Sequence, residues 1–233
     1  MQTLPGHPLG IQAGLIVLTE STTMLKLISA TPSPYARKVR IALAEKGIPF
    51  ELLTEVPWDG TTSTPRYNPL EKLPVLLLED GASVYESSFI LQYLELKYPQ
   101  HPLLPADVDG ILAARRFEVL CDGVCDAMVL TFFERMRKDS ASPPWLARQR
   151  RKIDGGLKEI ARLAADRTWT VGDRFSLGDI ATGTLLGYMS VRFPEIAWRT
   201  HYPNLAALSD RLEQRASFKG SVPFAQTIAD RIV

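Results

Sequence analysis

Ser33 is the first residue whose type and position suit chemistry. It precedes Pro34 at the predicted start of a helix, so its hydroxyl lies beside free backbone N–H groups and the positive end of the helix dipole. Such a place favours an anion, including a thiolate. Thr31 supplies a second hydroxyl two residues earlier, and a serine at this position can also be a helix cap that binds nothing.

A second segment, Lys72-Leu73-Pro74, leads into a predicted strand. Proline is unusual at the start of a central strand, because it cannot donate a hydrogen bond to the ladder. Two arrangements stay open. Either the Leu73–Pro74 bond is cis, which turns the backbone of Leu73 outward, or an edge strand is entered through a trans proline.

Glu86 and Ser87 form the third segment, where a predicted hairpin feeds directly into a helix. A carboxylate, a hydroxyl and free N–H groups are presented there together. They suit a ligand with both an ammonium and a carboxylate, since Glu86 can pair with the first and the helix N-terminus can bind the second. Capping without a ligand is an equally good interpretation.

The elements that position these segments follow from hydrophobic patterning and turn residues. Strands are predicted at 26–30, 50–53, 74–78 and 82–85, and helices at 34–46 and 86–98. Asp80-Gly81 marks a hairpin between the last two strands. The order β-α-β, then β-β-α, predicts a small sheet with helices packed on it.

Beyond residue 105 the pattern is helical only. Helices are predicted at 107–138, 144–166, 176–191 and 203–215, the third starting with a capping box of Ser176 and Asp179. We therefore expect an all-α second domain at 107–233, joined through a linker at 100–106 to an α/β domain at 24–99. Residues 1–23 have no Lys or Arg ahead of their apolar run, which disfavours a secretory signal and favours a disordered extension.

Composition excludes several classes of protein. The 233 residues carry 27 Lys and Arg against 26 Asp and Glu, so no net field draws the chain to nucleic acid or a membrane surface. Two cysteines and three histidines make a disulfide framework or a metal site improbable, and favour the reducing cytoplasm. Cys121 and Cys125 are expected to be buried and unreactive, and the four tryptophans to serve packing.

Four segments in order resemble one family. Residues 33–47, 68–76 and 86–94, with Asp-Arg-Phe-Ser-Leu-Gly-Asp-Ile-Ala at 173–181, are similar to the cytosolic glutathione S-transferases. The serine-type members, meaning the plant tau class and similar bacterial enzymes, are the most alike. The resemblance covers about residues 25–218. It implies a thioredoxin-like α/β N-terminal domain and an all-α C-terminal domain.

The resemblance also implies a role for each site residue. The hydroxyl of Ser33 would donate a hydrogen bond to the glutathione sulfur, and so act in catalysis. Lys72 would contact the glycyl carboxylate, and the backbone of Leu73, before cis Pro74, the cysteinyl part. The γ-glutamyl end would be held by Glu86 and Ser87.

Further expectations concern the partners. Glutathione would be the co-substrate, without a metal, and the helical domain would hold a small hydrophobic electrophile. A homodimer is the default for this family. Arg115 and Asp122 are candidates for the acceptor site or the subunit interface, although a solvated role fits them as well.

Two alternatives stay open, and a third is disfavoured. A disulfide or peroxide reductase would keep the glutathione site, but no cysteine lies near Ser33 to take part. A transferase-like regulator that only binds partners would normally lose site residues that are all present here. Maleylacetoacetate isomerisation is disfavoured, because the Ser-Ser-x-x-x-Cys pattern of zeta-type members is absent.

Overall fold

The structure is a computed structural model that describes residues 24–230. The extension predicted at 1–23 therefore lies outside the described residues. The chain first forms a four-stranded sheet and two helices: β1 Leu25–Ser29, α1 Pro34–Glu45, β2 Phe50–Thr54, β3 Val75–Leu77, β4 Ser83–Tyr85 and α2 Ser87–Lys97. A short 3₁₀ turn at Thr64–Arg66 lies in the long loop between β2 and β3.

The remaining described elements are all helical: α3 Val108–Met136, α4 Pro143–Ala164, α5 Leu177–Arg192, α6 Trp198–His201, α7 Pro203–Leu212 and α8 Ala216–Lys219, with a 3₁₀ turn at Lys138–Ser140. The predicted fold class, a mixed sheet followed by a helical region, is confirmed. Helices α6 and α8 were not predicted. Each has four residues, which is too short to show a helical period.

The sheet has the strand order β2-β1-β3-β4, with β1 parallel to β2 and antiparallel to β3. Ile28 near the end of β1 pairs with Val75 at the start of β3, and Val75 in turn pairs with Tyr85 at the end of β4. The segments after β1, before β3 and after β4 consequently leave the sheet at the same edge, the one formed by these strand ends. They carry Ser33, Lys72 to Pro74, and Glu86 with Ser87, which are the predicted site residues.

Local sequence explains how the helices begin and end. Ser33 caps α1 through its side chain, Pro34 takes the first helical position, and Gly47 follows the last turn with φ +68°. At α5 the predicted capping box is present: Ser176 and Asp179 bond reciprocally across the first turn.

Helix α1 connects the two halves of the molecule. It packs on β1 and α2 in the first half and against α5 and α8 in the second. Arg37 and Lys38 lie on it fully buried, although such side chains are rarely buried unless they are paired. Within the described residues, no helix is long and apolar enough to cross a membrane.

Candidate functional site

Ser33 lies at the N-terminus of α1, where its hydroxyl acts as a hydrogen-bond acceptor. The oxygen accepts a hydrogen bond from the backbone N–H of Ala36 at 3.2 Å, and the Ser33 N–H donates to the carbonyl of Ala30 at 3.2 Å. A hydroxyl carries one donor in addition to its acceptor sites. The cap uses an acceptor site and leaves the O–H free to donate toward a ligand at this edge.

Thr31 is engaged elsewhere. Its hydroxyl donates to the carbonyl of Phe224 at 3.0 Å, which ties the C-terminal segment to the loop after β1. Since a hydroxyl has a single proton to donate, Thr31 would have to break this bond before it could serve a ligand.

The loop before β3 is held by a residue that the sequence reasoning did not single out. Asn68 is buried, its side-chain oxygen accepts from the N–H of Leu70 at 2.9 Å, and its amide donates to the carbonyl of Lys72 at 2.6 Å. The first bond is an Asx turn, which an Asn before a proline commonly forms. That dipeptide was the available signal.

The Leu73–Pro74 bond is cis, which decides between the two arrangements left open by the sequence. The strand that follows, β3, is central and lies between β1 and β4. The side chain of Lys72 is exposed, while Leu73 is half-buried. A cation and a backbone segment are therefore presented together at the edge that also carries Ser33.

Glu86 caps α2 from an uncommon backbone conformation, φ +71°. A side chain at positive φ is held there only when its surroundings determine it, and such residues cluster at functional sites. The Glu86 carboxylate accepts from the N–H of Ser88 at 3.2 Å and from the hydroxyl of Ser87 at 3.4 Å. Glu86 is exposed and Ser87 is buried, so the carboxylate faces solvent while the serine supports it.

A buried ion cluster fixes α1 to α3 near this edge. The Lys38 amine lies 2.7 Å and 2.9 Å from the two oxygens of Asp122 and 3.1 Å from Glu118. Arg115 completes the cluster with a 2.7 Å bond to Glu118. Arg115 and Asp122 thus join a contact between α1 and α3, with about a quarter of each side chain exposed.

The electrostatics of the cluster extend to Glu86. Burial raises the pKa of Asp122 to about 6, the charge of Lys38 opposes this, and the charges of Glu118 and Glu86 add to it. Two carboxylates, Asp122 and Glu86, are hence close enough to influence each other at the start of α2.

An aromatic surface covers the C-terminal half of α3. The Trp58 ring lies 4.2 Å from the Phe133 ring, and Phe133 lies 5.1 Å from Phe132. The guanidinium of Arg192 is 4.5 Å above Phe132. Trp58 packs on Phe133 and is nevertheless 46% exposed.

The two cysteines belong to the buried core. Cys121 and Cys125 are free and buried in α3, and burial raises the pKa of the Cys121 thiol to about 12. Burial also raises the pKa of Cys125. In residues 24–230, no cluster of three or more His, Cys, Asp or Glu side chains is placed to hold a metal ion. Both cysteines are buried, as predicted.

Fold and site together define a class of protein. A thioredoxin-like sheet presents a helix-capping hydroxyl, a cis-proline loop and a capped helix N-terminus at one edge, and a helical region packs beside that edge. Residues 32–97 match the family model of the glutathione S-transferase N-terminal domain, and residues 143–211 match that of the C-terminal domain.

Known proteins are similar to this chain over most of its length. A crystal structure of a glutathione S-transferase from Methylobacterium radiotolerans, in complex with glutathione sulfonate, is 74% identical with a TM-score of 0.90, covering 91% of this chain and 100% of that one. A GST-like protein of Escherichia coli K12 without a characterised function is 34% identical over 85% of this chain and 98% of its own. A zeta-class glutathione S-transferase of Euphorbia esula is 31% identical over 87% of this chain and 91% of its own. The chain belongs to the glutathione S-transferase family.

Proposed function

We propose that this protein conjugates glutathione to hydrophobic electrophiles, and that the Ser33 hydroxyl stabilises the glutathione thiolate. The sulfur attacks an electrophilic carbon of the acceptor, a C–S bond forms, and the leaving group departs with the bonding electrons. The thiol proton passes to water. No covalent enzyme intermediate is involved, and the rate is gained from thiolate formation and from holding the two reactants together.

The observation that carries this proposal is the state of the Ser33 hydroxyl. Its oxygen already accepts from Ala36, and its proton is free, at a helix N-terminus. A free thiol has a pKa of about 8.5, and a donor together with a helix N-terminus lowers it. Thr31 fits the role less well, because its own proton is bonded to Phe224.

The rest of the glutathione site follows the peptide along the same edge. Lys72 would bind the glycyl carboxylate, the Leu73 backbone next to Pro74 the cysteinyl part, and Glu86 with Ser87 the γ-glutamyl end. The exposed carboxylate of Glu86 at the start of α2 supports binding of the γ-glutamyl ammonium. Glutathione bound as its sulfonate in the relative from Methylobacterium supports the choice of ligand.

The aromatic surface of Trp58, Phe132 and Phe133 supports a hydrophobic acceptor site. Phe133 lies seven residues beyond Asp126, which accepts a hydrogen bond from Tyr35 next to the start of α1. At 1.5 Å per residue, this surface begins about 10 Å past that contact. We assign the aromatic acceptor to this surface.

A homodimer is supported by exposed apolar side chains on α2 and α3. Phe89 and Leu96 on α2 are 56% and 74% exposed, and Val108, Leu112 and Val119 on α3 are 62–70% exposed. Positions 108, 112 and 119 share one face of a helix. Exposed apolar side chains grouped on one helix face mark an interaction site. We assign this apolar face to contact with a second copy of the chain. We also propose a cytoplasmic location, because the two free cysteines would stay reduced there.

The test of the function is the variant Ser33→Ala. Loss of a hydrogen bond to a charged sulfur costs about 1.5–3 kcal/mol. It should raise the pKa of the bound thiol by about 1–2 units and slow conjugation of a chloronitrobenzene by about 10–100-fold near neutral pH. Ultraviolet absorbance of the bound thiolate against pH gives the pKa. Calorimetry should show glutathione binding mostly intact.

The matched control is Ser142→Ala. Ser142 caps α4 before a proline in the same way, accepting from the N–H of Trp145, and it lies outside the proposed site. Both variants lose a helix cap worth about 1 kcal/mol, so the control shows the effect of losing a cap alone. Only Ser33→Ala should change the pKa of the bound thiol. Turnover and thiol pKa at the wild-type values in Ser33→Ala would refute the serine mechanism.

Isomerisation is the second candidate, because a zeta-class relative is 31% identical. The missing Ser-Ser-x-x-x-Cys pattern speaks against it. Parallel assays with the chloronitrobenzene, with maleylacetoacetate and with a glutathionylated disulfide would separate conjugation, isomerisation and reduction. Absence of glutathione binding would favour the regulator instead.

A further inference from the structure

A cationic side chain without an acidic partner borders the aromatic surface of α3. The guanidinium of Arg192 lies 4.5 Å above the ring of Phe132, and the side chain is half-buried. Among residues 24–230, no carboxylate, carbonyl or hydroxyl oxygen forms a hydrogen bond or an ion pair with it. The N–H donors of this guanidinium are therefore free to bind a ligand.

Helix α5 brings this charge to the aromatic surface, because α5 packs beside α3 and runs in the same direction. The Cys121 sulfur of α3 lies 3.7 Å from the Thr182 hydroxyl of α5. Further along both helices, Arg192 meets Phe132. The C-terminal end of α5 favours a cation at position 192, which explains a charge there but not its free donors.

The hydroxyl of Tyr188 is a second group without a partner. Tyr188 lies four residues before Arg192, so both side chains share one face of α5. Tyr188 is only 5% exposed, and a buried tyrosine hydroxyl usually has a hydrogen-bond partner, yet none of the described residues bonds to it. Burial and the neighbouring Cys125 raise the pKa of Tyr188, whereas the charge of Arg192 opposes this. The phenol and the guanidinium are thus close enough to act on one ligand.

A carboxylate is the ligand group that matches both side chains. A guanidinium offers two parallel N–H donors, which fit the two oxygens of a carboxylate. A tyrosine hydroxyl can donate a further hydrogen bond to one of these oxygens. The ring of Phe132 lies directly beneath the guanidinium, so a carboxylate bound there is next to the aromatic surface.

We propose that the acceptor of this enzyme is an aromatic electrophile that carries a carboxylate. The inference rests on the proposed function, which assigns the acceptor to the aromatic surface. The acceptor ring lies on Trp58 and Phe133, while its carboxylate pairs with Arg192 and accepts a hydrogen bond from Tyr188. The glutathione sulfur forms a C–S bond to the ring, a halide leaves with the bonding electrons, and the thiol proton passes to water.

The substrate pair 4-chloro-3-nitrobenzoate and 4-chloro-3-nitrobenzamide tests the role of the charge, since the two differ only in the acid group. Rates are measured on the full chain, and each kcat/KM is divided by the rate constant of the uncatalysed reaction. We expect this quotient to be about 10-fold or more higher for the benzoate, the value of a charge-assisted hydrogen bond.

Binding of the two conjugates gives a readout that does not depend on turnover. The ligands are S-(4-carboxy-2-nitrophenyl)glutathione and the corresponding carboxamide, each titrated by calorimetry. The acid should bind about 10-fold or more tightly than the carboxamide. Because the glutathione part is the same in both ligands, the difference reports the acceptor end alone.

Three variants locate the carboxylate. Arg192→Gln removes the charge and should abolish the preference for the acid in both assays. Arg192→Lys keeps the charge without the paired donors and should retain part of the preference. Tyr188→Phe removes one donor and should lower the preference by about 3–10-fold.

The matched control is Arg199→Gln. Arg199 also stacks on an aromatic ring, 4.7 Å above Trp198, but it lies outside the aromatic surface assigned to the acceptor. This variant should keep the wild-type preference for the acid. Circular dichroism checks that all four variants fold.

Two results would overturn the proposal. One is equal affinity of the wild-type protein for the two conjugates, and the other is a preference for the acid that Arg192→Gln leaves unchanged. Neither result alters the thiol pKa or the turnover measured in Ser33→Ala, so both are distinct from a failure of the proposed function. Absence of binding by either conjugate would overturn the glutathione site itself, and this inference with it.

Discussion

The buried amine of Lys38 offers a sharp test of how α1 is held. Its side chain is fully buried against Asp122 and Glu118 on α3. Removing one partner of a buried ion pair costs about 3–5 kcal/mol, because a charge is left without compensation. The variant Lys38→Met should lose about that much unfolding free energy. For a chain of this size, the melting temperature should fall by about 6–20 °C.

The loss should depend on pH in a defined direction. The pKa of Asp122 is raised by burial to about 6, from an ordinary 3.8. The stability that this carboxyl contributes is present below about pH 4 and is lost as the pH rises through 6, about 3 kcal/mol in all. Without Lys38 an attraction that lowers the pKa is gone, so the pKa climbs and the penalty at high pH grows. Lys38→Met should therefore cost more at about pH 8 than at about pH 5.

Lys38 itself does not complicate this comparison. Burial would lower the pKa of its amine, but Asp122 and Glu118 hold it above the usual value. Stability from a raised lysine pKa is present below the unfolded pKa near 10.5 and is lost only at higher pH. It is constant over the range of the measurement.

Urea unfolding followed by tryptophan fluorescence, at one protein concentration, supplies the measurement. The double variant Lys38→Met/Asp122→Asn removes the orphaned carboxylate, while Glu118 keeps its bond to Arg115. We expect it to recover part of the loss and to show little pH dependence. An equal cost of Lys38→Met at both pH values, or no recovery in the double variant, would refute the electrostatic reasoning.

Three further predictions concern the acceptor surface, the dimer and the helical region. Trp58→Ala should raise KM for an aromatic acceptor several-fold, by the roughly 0.5–1.5 kcal/mol of an aromatic pair, with glutathione affinity by calorimetry unchanged. Val119→Glu should place a charge on the apolar face of α3 and give a monomer in analytical ultracentrifugation. Asp179→Ala should lower the free energy of unfolding by about 2–4 kcal/mol in urea, because the buried N–H groups of Thr170 and Ser176 lose their acceptor.

Features that depend on neighbouring residues in the chain were predictable. Patterning located all four strands and the six helices of ten residues or more, and α1 and α5 begin at or next to their predicted positions. The hairpin at Asp80-Gly81 has Gly81 at φ +85°, as its turn residues indicated. Propensity, helix caps and turn residues act over a few neighbouring residues, so their effects can be predicted from a single sequence.

Features that depend on distant segments were not predictable. The sequence favours Ser33 over Thr31 as donor, but it does not show that the Thr31 hydroxyl is bonded to the carbonyl of Phe224, 193 residues away. Likewise, Lys38 meets Asp122 across 84 residues. The exposure of Trp58 depends on the position of α3, because its ring packs on Phe133 of that helix. Each of these follows from how elements pack, and no local pattern records it.

Helix α1 explains why a site built on the sheet depends on the helical region. Ser33, the proposed donor, caps its first turn, and the next turn carries Arg37 and Lys38, both bound to that region. The Arg37 guanidinium donates two 3.0 Å hydrogen bonds to Glu213 and lies 5.1 Å from the Phe218 ring. A shift of the helical region would displace α1, and with it the hydroxyl. Substitutions at Lys38 should hence alter the pKa of the thiol of bound glutathione, although the Lys38 side chain lies outside the proposed ligand site.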